Sequence, residues 1–587
     1  MLYLQHSISN KMKQFFKMLL AVICGLLIVN LLVFVVIASL IGGAASAAGG
    51  AGSTVLPRSG VLAIDLSELA ITEQQQPDDP FAMLQGQMRA PVGLYNAVRA
   101  INYAATDPGV KFIYLKTDGS TAGISALAEI RKALENFRKS GKAVIAYTES
   151  PGIGAFYLAS VADKIYMSDY QGANGTLAGL CAQSYYLKDL LDKAGINMQL
   201  IRHGKYKSAG EMYVRNSPSE ENKEQYNRLV ASMWETIGAT IAEGRNIPLP
   251  DLDRMIDNLE LCLPQDYLDA GMVDGIFSLD SLKQRLTALA VEKNFKDVQF
   301  IPFADYAKAK VTTNFRAAGK IAVIYADGEI VDGKLPQNVA GDRFAKVIDQ
   351  VRSDSGIGAV VLRVNSPGGS VLASEKIRHE LDLLAKQVPV IASYGEMAAS
   401  GGYWISNGCA KIFSDATTLT GSIGVFGMIP DASKTLKDKL HVGTYSAKSH
   451  KHADVMRLTR PLDQTEYNYM LRSIETIYDK FTGLVADGRG LSRERVDEIG
   501  QGRVWTGADA LQIGLVDEIG TLEDAINYAA SVVGASDVCV LEYPKPLTGI
   551  ELFMQSIGQT DHDYVKAFQK LSEPQVLARM PYQVVVY

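Results

Sequence analysis

The chain has 587 residues, of which 47% are hydrophobic. That is ample for several packed cores at about 150 residues per domain, and it excludes an intrinsically disordered protein. Its 64 acidic and 58 basic residues leave a formal net charge of −6 without a long basic run, so nucleic acid is not an expected partner.

No charged residue occurs between positions 18 and 48, and residues 18–42 are predominantly Leu, Val, Ile, Phe, Met and Ala. This run exceeds the ~20 residues needed to cross a bilayer and predicts one transmembrane anchor. Lys11, Lys13 and Lys17 precede it and Arg58 is the first charge after it. The positive-inside rule therefore places residues 1–17 in the cytoplasm and the body outside it. Ala45-Ser46-Ala47 has the form of a signal-peptidase site. The apolar run, however, is about twice the ~7 to 15 residues of a signal peptide, so a retained anchor is expected. Cys24 falls in the anchor, and Cys181, Cys262, Cys409 and Cys539 are too scattered for a metal site. No metal and no cofactor is expected.

Beyond the anchor the chain repeats itself. Phe112-Ile113-Tyr114-Leu115 reads as an apolar strand, followed by a turn and a helix with anchors Leu127, Ile130, Leu134 and Phe137 on one face. A shift that carries Phe112 to Ala359 gives a second strand, Ala359-Val360-Val361-Leu362, and puts the last three anchors on Ile377, Leu381 and Leu384; Leu127 alone lands on a mismatch, Ser374. Val144-Ile145-Ala146 recurs as Val390-Ile391-Ala392, and Lys164-Ile165-Tyr166 as Lys411-Ile412-Phe413. Alternating strands and helices in each copy predict an α/β protein with mostly parallel, helix-covered sheets. The copies are placed at residues 55–315 and 318–545, joined by a polar segment. The tail, 546–587, has helical periodicity around Tyr564, Phe568 and Leu571 but no legible chemistry.

Differences between the copies carry the functional signal. Asn365-Ser366-Pro367-Gly368-Gly369 follows the first strand of the second copy, where the first copy has Thr121 and Ala122 at the glycine positions. Ala398-Ala399-Ser400-Gly401-Gly402-Tyr403 leads from a strand into a helix, where the first copy has Ile153 in place of the serine. Small neighbours leave the Ser400 hydroxyl approachable by a peptide backbone, and a strand-to-helix turn favours developing negative charge. A tetrahedral oxyanion needs two aimed donors, for which the N–H groups of Gly369 and Gly401 are the candidates. Each motif alone also reads as ordinary turn chemistry or a tight helix contact; their joint occurrence in one copy favours acyl transfer.

These motifs resemble the long, duplicated form of the signal peptide peptidase A family, bacterial inner-membrane serine proteases of the ClpP/crotonase kind of fold. The likeness extends to Thr420-Gly421-Ser422-Ile423-Gly424, Arg503-Val504-Trp505-Thr506-Gly507, Gly514-Leu515-Val516-Asp517 and, in the first copy, Tyr206-Lys207-Ser208-Ala209. It implies Ser400 as nucleophile, Lys207 as general base and Ser422 as the hydroxyl that orients the lysine amine. It further implies a homotetramer facing an enclosed space, a periplasmic body, and apolar peptides, released signal peptides among them, as substrates. A lysine base requires a desolvated pocket, because the free amine with a pKa of ~10.4 is a cation.

Several rival readings stand beside this one. A Ser-His-Asp triad needs a histidine some twenty-odd residues after the serine. None of the seven is there, His441, His450 and His452 being the nearest downstream. A crotonase-type acyl-CoA enzyme conflicts with an exported body, and an idle scaffold for apolar segments conflicts with the intact Ser400, Lys207 and glycine pair. Lys448 and Lys451 lie about fifty residues after Ser400, where short relatives carry their base, but their surroundings lack the Tyr-Lys-Ser-Ala pattern.

Overall fold

The computed structural model describes residues 56–77, 89–336 and 338–547, the backbone of 575–579, and positions 25 and 29. The expected anchor thus falls, but for two positions, outside the described residues, as does the periodicity around Tyr564, Phe568 and Leu571. Among the described residues no helix is long and apolar enough to cross a membrane. The described residues within 57–77 and 89–579 form one compact unit.

In the first half the strands are β1 (Gly60–Asp65), β2 (Leu69–Thr72), β3 (Ala90–Gly93), β4 (Val110–Lys116), β5 (Val144–Thr148), β6 (Lys164–Ser168), β7 (Asn197–His203), β8 (Gly275–Phe277) and β9 (Phe300–Pro302). The second half begins with β10 (Gly319–Asp327), β11 (Ile330–Val331), β12 (Val339–Ala340), β13 (Ile357–Ser366), β14 (Gly368–Ser370), β15 (Val390–Ala399) and β16 (Lys411–Ser414). It continues with β17 (Leu419–Gly421), β18 (Val425–Asp431), β19 (Val504–Thr506), β20 (Glu518–Ile519) and β21 (Val538–Tyr543), and β22 (Gln575–Arg579) follows.

The first sheet runs β8-β6-β5-β4-β1-β9 and every pair in it is parallel. The second contains the corresponding path β20-β16-β15-β13-β10-β21, again parallel throughout. The duplication therefore extends beyond the strands legible in the sequence to the short outer ones. Strand β13 is buried along nearly all its length, as a parallel strand covered on both faces must be. Alternate residues serve opposite faces. Ala322, Ile324, Val360 and Leu362 join one core with Phe344, Ile377 and Leu381 from helices Gly341–Ser353 and Val371–Ala385. Ile321, Val323, Ala359 and Val361 join the other with Leu522 and Ile526 of helix Leu522–Val532, and with Tyr95 of the first copy.

The mismatch at Ser374 has a local cause. Its hydroxyl donates to Ser370 O at 2.8 Å, and a Cβ on Gly401 would sit 2.8 Å from its Oγ. A leucine here would collide with the turn after β15, so the helix gives up an apolar anchor where it underlies Gly401.

Two features bind the copies together. Arg363, at the centre of β13, is buried and reaches two buried first-copy carboxylates, Glu73 at 2.7 Å and Glu129 at 2.8 Å. A third sheet, β12-β11-β14-β22-β18-β7, mixes the halves, because β7 of the first copy pairs antiparallel with β18 of the second from Val425↔His203 to Asp431↔Asn197.

Candidate active site

Pairing of β7 with β18 carries the chain directly to the site. Four residues after His203, the last of β7, Lys207 enters the second copy. Its Nζ lies 2.7 Å from Ser400 Oγ, 2.9 Å from Ser422 Oγ and 3.0 Å from Ser422 O. None of the three residues has exposed surface. Burial holds the Lys207 amine well below the ordinary lysine range. The partner set suits the neutral form: a free amine has two N–H donors and one lone pair. The Ser422 carbonyl can only accept, the Ser422 hydroxyl takes the second N–H, and the lone pair is left for the Ser400 proton.

Ser400 links β15 to helix Gly401–Ser406 with φ 57° and ψ −111°, a backbone conformation that a side-chain-bearing residue rarely adopts. The turn is pinned at both ends, Ser400 N donating to Gly421 O at 2.8 Å and Ser400 O accepting from Trp404 N at 2.8 Å. Ser422 also has positive φ, 52°, and its N–H donates to Arg503 O at 2.7 Å. Two strained serines thus face one amine, each fixed by backbone bonds.

The glycine pair lies alongside. Gly369 has φ +154°, and a Cβ there would be 1.9 Å from Ile330 O, so only glycine fits. A Cβ on Gly401 would lie 3.1 Å from Gly369 N and from Gly368 Cα, which sets how closely the two glycine backbones approach. Gly401 is the first residue of its helix, so its N–H has no acceptor within that helix.

Of the residues singled out in the sequence, the structure gathers Ser400, Lys207 and Ser422, and sets Gly369 against Gly401. It does not bring in the others. Lys448 pairs with Asp454 at 3.2 Å, and Lys451 is exposed. His441 and His450 are exposed, His452 is 2.9 Å from Glu466, and His203 stacks on Tyr478. Among the described residues Lys207 is the side chain that hydrogen-bonds Ser400.

Sequence reasoning missed the cradle of the lysine. A Cβ on Gly502, where φ is +81°, would be 2.5 Å from Lys207 Cβ, and one on Gly424 would be 3.2 Å from Lys207 Cδ. Tyr206 N donates to Gln501 O at 3.0 Å, while Tyr206 Oη and Arg503 each donate to Glu224 at 2.9 Å. Arg202, itself paired with buried Glu211 at 3.0 Å, donates to Lys207 O at 2.9 Å. The available signal was Gly502 beside the Arg503-Val504-Trp505 motif, but nothing in the sequence says that this segment wraps a residue of the other copy.

Comparison with known proteins agrees with the duplication. Protease 4 of Haemophilus influenzae is 35% identical over 500 residues, covering 82% of this chain and 81% of that protein. Protease 4 of Salmonella typhi is 37% identical over 477 residues, covering 79% and 76%. The chloroplastic serine protease SPPA of Arabidopsis thaliana is 32% identical over 472 residues, covering 78% and 68%. A solved ClpP1 mutant from Listeria monocytogenes covers 35% of this chain and 94% of its own at 17% identity, with a TM-score of 0.24. The model of peptidase family S49 matches twice, at residues 136–293 and 382–536, and the chain belongs to that family.

Proposed function

We propose that this chain is a serine endopeptidase working through a Ser400/Lys207 dyad on apolar peptides, released signal peptides among them. The observation that carries this reading is the 2.7 Å approach of a buried lysine amine to a buried serine hydroxyl held on a strained turn. Lys207 accepts the Ser400 proton as Oγ bonds to the substrate carbonyl carbon, and the N–H groups of Gly369 and Gly401 receive the oxyanion. Collapse breaks the C–N bond, and the Lys207 ammonium returns its proton to the leaving amine. Water, deprotonated in turn by Lys207, then attacks the acyl carbon, and the bond to Ser400 Oγ breaks as the Lys207 ammonium returns that proton to the serine oxygen. Ser422 keeps the amine aimed at Ser400 throughout.

Location and assembly complete the proposal. The apolar run at 18–42, with Lys11, Lys13 and Lys17 before it, supports a single-pass anchor with the body outside the cytoplasm, as in a bacterial inner membrane with a periplasmic catalytic domain. Similarity to the Protease 4 proteins supports peptide substrates, the motif resemblance to the signal peptide peptidase A family carries the homotetramer, and the matching order of the two parallel sheets supports two ClpP/crotonase-like halves. A serine-directed phosphonate is expected to label Ser400, and the Ser400→Ala chain is expected to fold but neither label nor hydrolyse peptides. Labelling elsewhere, or unchanged hydrolysis by Ser400→Ala, overturns the assignment.

A further inference from the structure

Both copies set an aromatic residue of a long helix against an aspartate. Helices Glu220–Arg245 and Gln464–Arg489 are each 26 residues long, and with their ends aligned Trp234 stands where Tyr478 does. The same shift puts Asp253 in the place of Asp497. Trp234 Nε1 donates to Asp253 at 2.8 Å, and Tyr478 Oη donates to Asp497 at 2.6 Å. Pinning the long helix to the segment that follows it is therefore common to both halves. The second copy adds one bond, since Tyr478 Oη also accepts the Gln501 N–H at 3.2 Å. An indole N–H is a donor only and cannot make it.

That added bond falls where the lysine is held. Gln501 has φ 51° and Gly502 has φ 81°, so two successive left-handed residues form the turn around the Lys207 stem. A side-chain-bearing residue keeps such a conformation only when its surroundings impose it. Gln501 O accepts from Tyr206 N at 3.0 Å, and Gly502 N donates to Ile423 O at 2.7 Å, next to Ser422. A Cβ on Gly204 would lie 2.4 Å from Gln501 O, so the chain leading to Lys207 rests directly on the turn. The Tyr478 ring also stacks on His203, the last residue of β7, with 3.9 Å between centroids. One side chain thus touches both the strand that delivers the lysine and the turn that cradles it. Burial, with Asp497 beside it, holds the phenol above the ordinary tyrosine range, so it remains a donor to Asp497 while accepting from Gln501.

We propose that Tyr478 is a positioning residue for the general base, setting the place of the Lys207 amine through the Gln501–Gly502 turn. This rests on the peptidase reading and deepens it. The effect passes along the backbone: the phenol fixes Gln501 N, Gln501 O fixes Tyr206 N, and Tyr206 precedes the lysine. Without the hydroxyl, Gln501 loses the acceptor of its N–H and the strained turn relaxes. The cradle then opens, the amine shifts from Ser400, and water reaching it favours the charged form. The first copy, which has Ile153 in place of the nucleophile, carries the donor-only indole at this position.

Tyr478→Phe keeps the ring against His203 and removes only the hydroxyl. The measurement is the rate at which a fluorescent serine-directed phosphonate labels Ser400, followed from about pH 6 to 10. The limiting rate is expected to fall about 10-fold, short of the ~10²-fold that a misplacement of about 1 Å can cost. The midpoint of the profile is expected to move up by about 0.5 unit or more as the amine is hydrated. The charged groups around the lysine, Arg202 with Glu211 and Arg503 with Glu224, pair with each other, so the shift reports the cradle. Tyr478→Trp imports the first copy's residue, keeps a donor for Asp497, and should show the same losses. Thr482, one turn along the same helix, is buried and donates to Tyr478 O at 3.1 Å. Thr482→Val weakens the helix without altering the phenol and should keep the wild-type rate and midpoint. An unchanged rate and midpoint in either Tyr478 variant, or equal changes in Thr482→Val, overturns the proposal. Failure of the peptidase reading registers separately, as a wild-type chain that is not labelled at Ser400 or one labelled equally well after Lys207→Ala.

Discussion

Lys207 and Ser400 belong to different copies of the repeat, yet they meet at 2.7 Å within a single chain. The first copy donates β7 to the edge of the second copy's site sheet, and the strand's end delivers the lysine. The proposed dyad, split between copies, therefore needs no second subunit to supply either group. The two groups lie in different halves: the second copy carries the serine turn, and the first carries the lysine just beyond a strand that fixes its approach.

Subunit mixing tests that relationship. Lys207→Ala and Ser400→Ala chains are each expected to be inactive, and co-assembled mixtures of the two should remain inactive, because each chain then lacks one member of its own dyad. Lys451→Ala is expected to keep most activity, its side chain being exposed. Recovery of hydrolysis on mixing would place the dyad across a subunit contact, and loss of activity in Lys451→Ala would point to a base local to the second copy.

The buried amine should also be visible in stability. With the folded pKa of Lys207 depressed by burial and its unfolded pKa near the ordinary ~10.4, the unfolded chain binds a proton that the folded chain lacks throughout the interval between them. Stability therefore rises with pH across that interval, by up to about 1.4 kcal/mol per pH unit. Denaturant unfolding of the wild type and of Lys207→Met between pH 7 and 10 should give curves that diverge in this direction, and parallel curves would mean that the amine stays charged when folded. Hydrolysis should climb over the same direction of pH as the base loses its proton.

Much of this was legible because duplicated folds expose their differences. The strands around Phe112 and Ala359 and the helix anchors from Ile130 to Phe137 announce themselves by periodicity. Ser400 and Gly369 stand out because the first copy has Ile153 and Ala122 instead. Lys207 was legible only through its Tyr-Lys-Ser-Ala neighbours, since nothing in periodicity tells a buried lysine from a surface one. Gly502 and Gly424 were illegible for a different reason. Their role is a contact with a side chain of the other copy, far away in sequence, and only the pairing of β7 with β18 brings them together. Residues 575–579 escaped because a five-residue strand in a tail carries too little pattern, and its placement is set by two distant edges.

Gly502→Ala should damage catalysis and lower stability together. The new methyl would sit 2.5 Å from Lys207 Cβ at a backbone position with φ +81°, so the 501–503 turn and the lysine stem must move apart. A misplacement of about 1 Å at a reacting group can cost ~10²-fold in rate. The expected result is a fall of that order in kcat with KM little changed and a lowered melting temperature, because the methyl would also lie 2.6 Å from Lys207 N and 2.7 Å from Lys207 Cα. A variant with wild-type kcat would show that the cradle does not position the amine.

Arg363→Ala tests what holds the copies in the relation that the dyad requires. The guanidinium is buried against Glu73 and Glu129 and also donates to Ser393 Oγ and Tyr394 O, both at 3.0 Å. Removing it leaves two first-copy carboxylates buried beside each other without a cation. The loss of one partner from such a buried pair typically costs about 3 to 5 kcal/mol. Protonation of Glu129, whose carboxyl burial pushes up to about 7, relieves part of the penalty, so the deficit should shrink as the pH is lowered from 8 to 5. Arg363→Met with Glu73→Gln and Glu129→Gln should recover much of the stability, because it removes the charges together rather than leaving two behind. Denaturant unfolding of the three chains at both pH values measures this. A deficit in Arg363→Ala below about 1 kcal/mol, the usual worth of an exposed pair, would mean that the copies are held by their shared apolar core around Tyr95 and Ile526 rather than by this ion cluster.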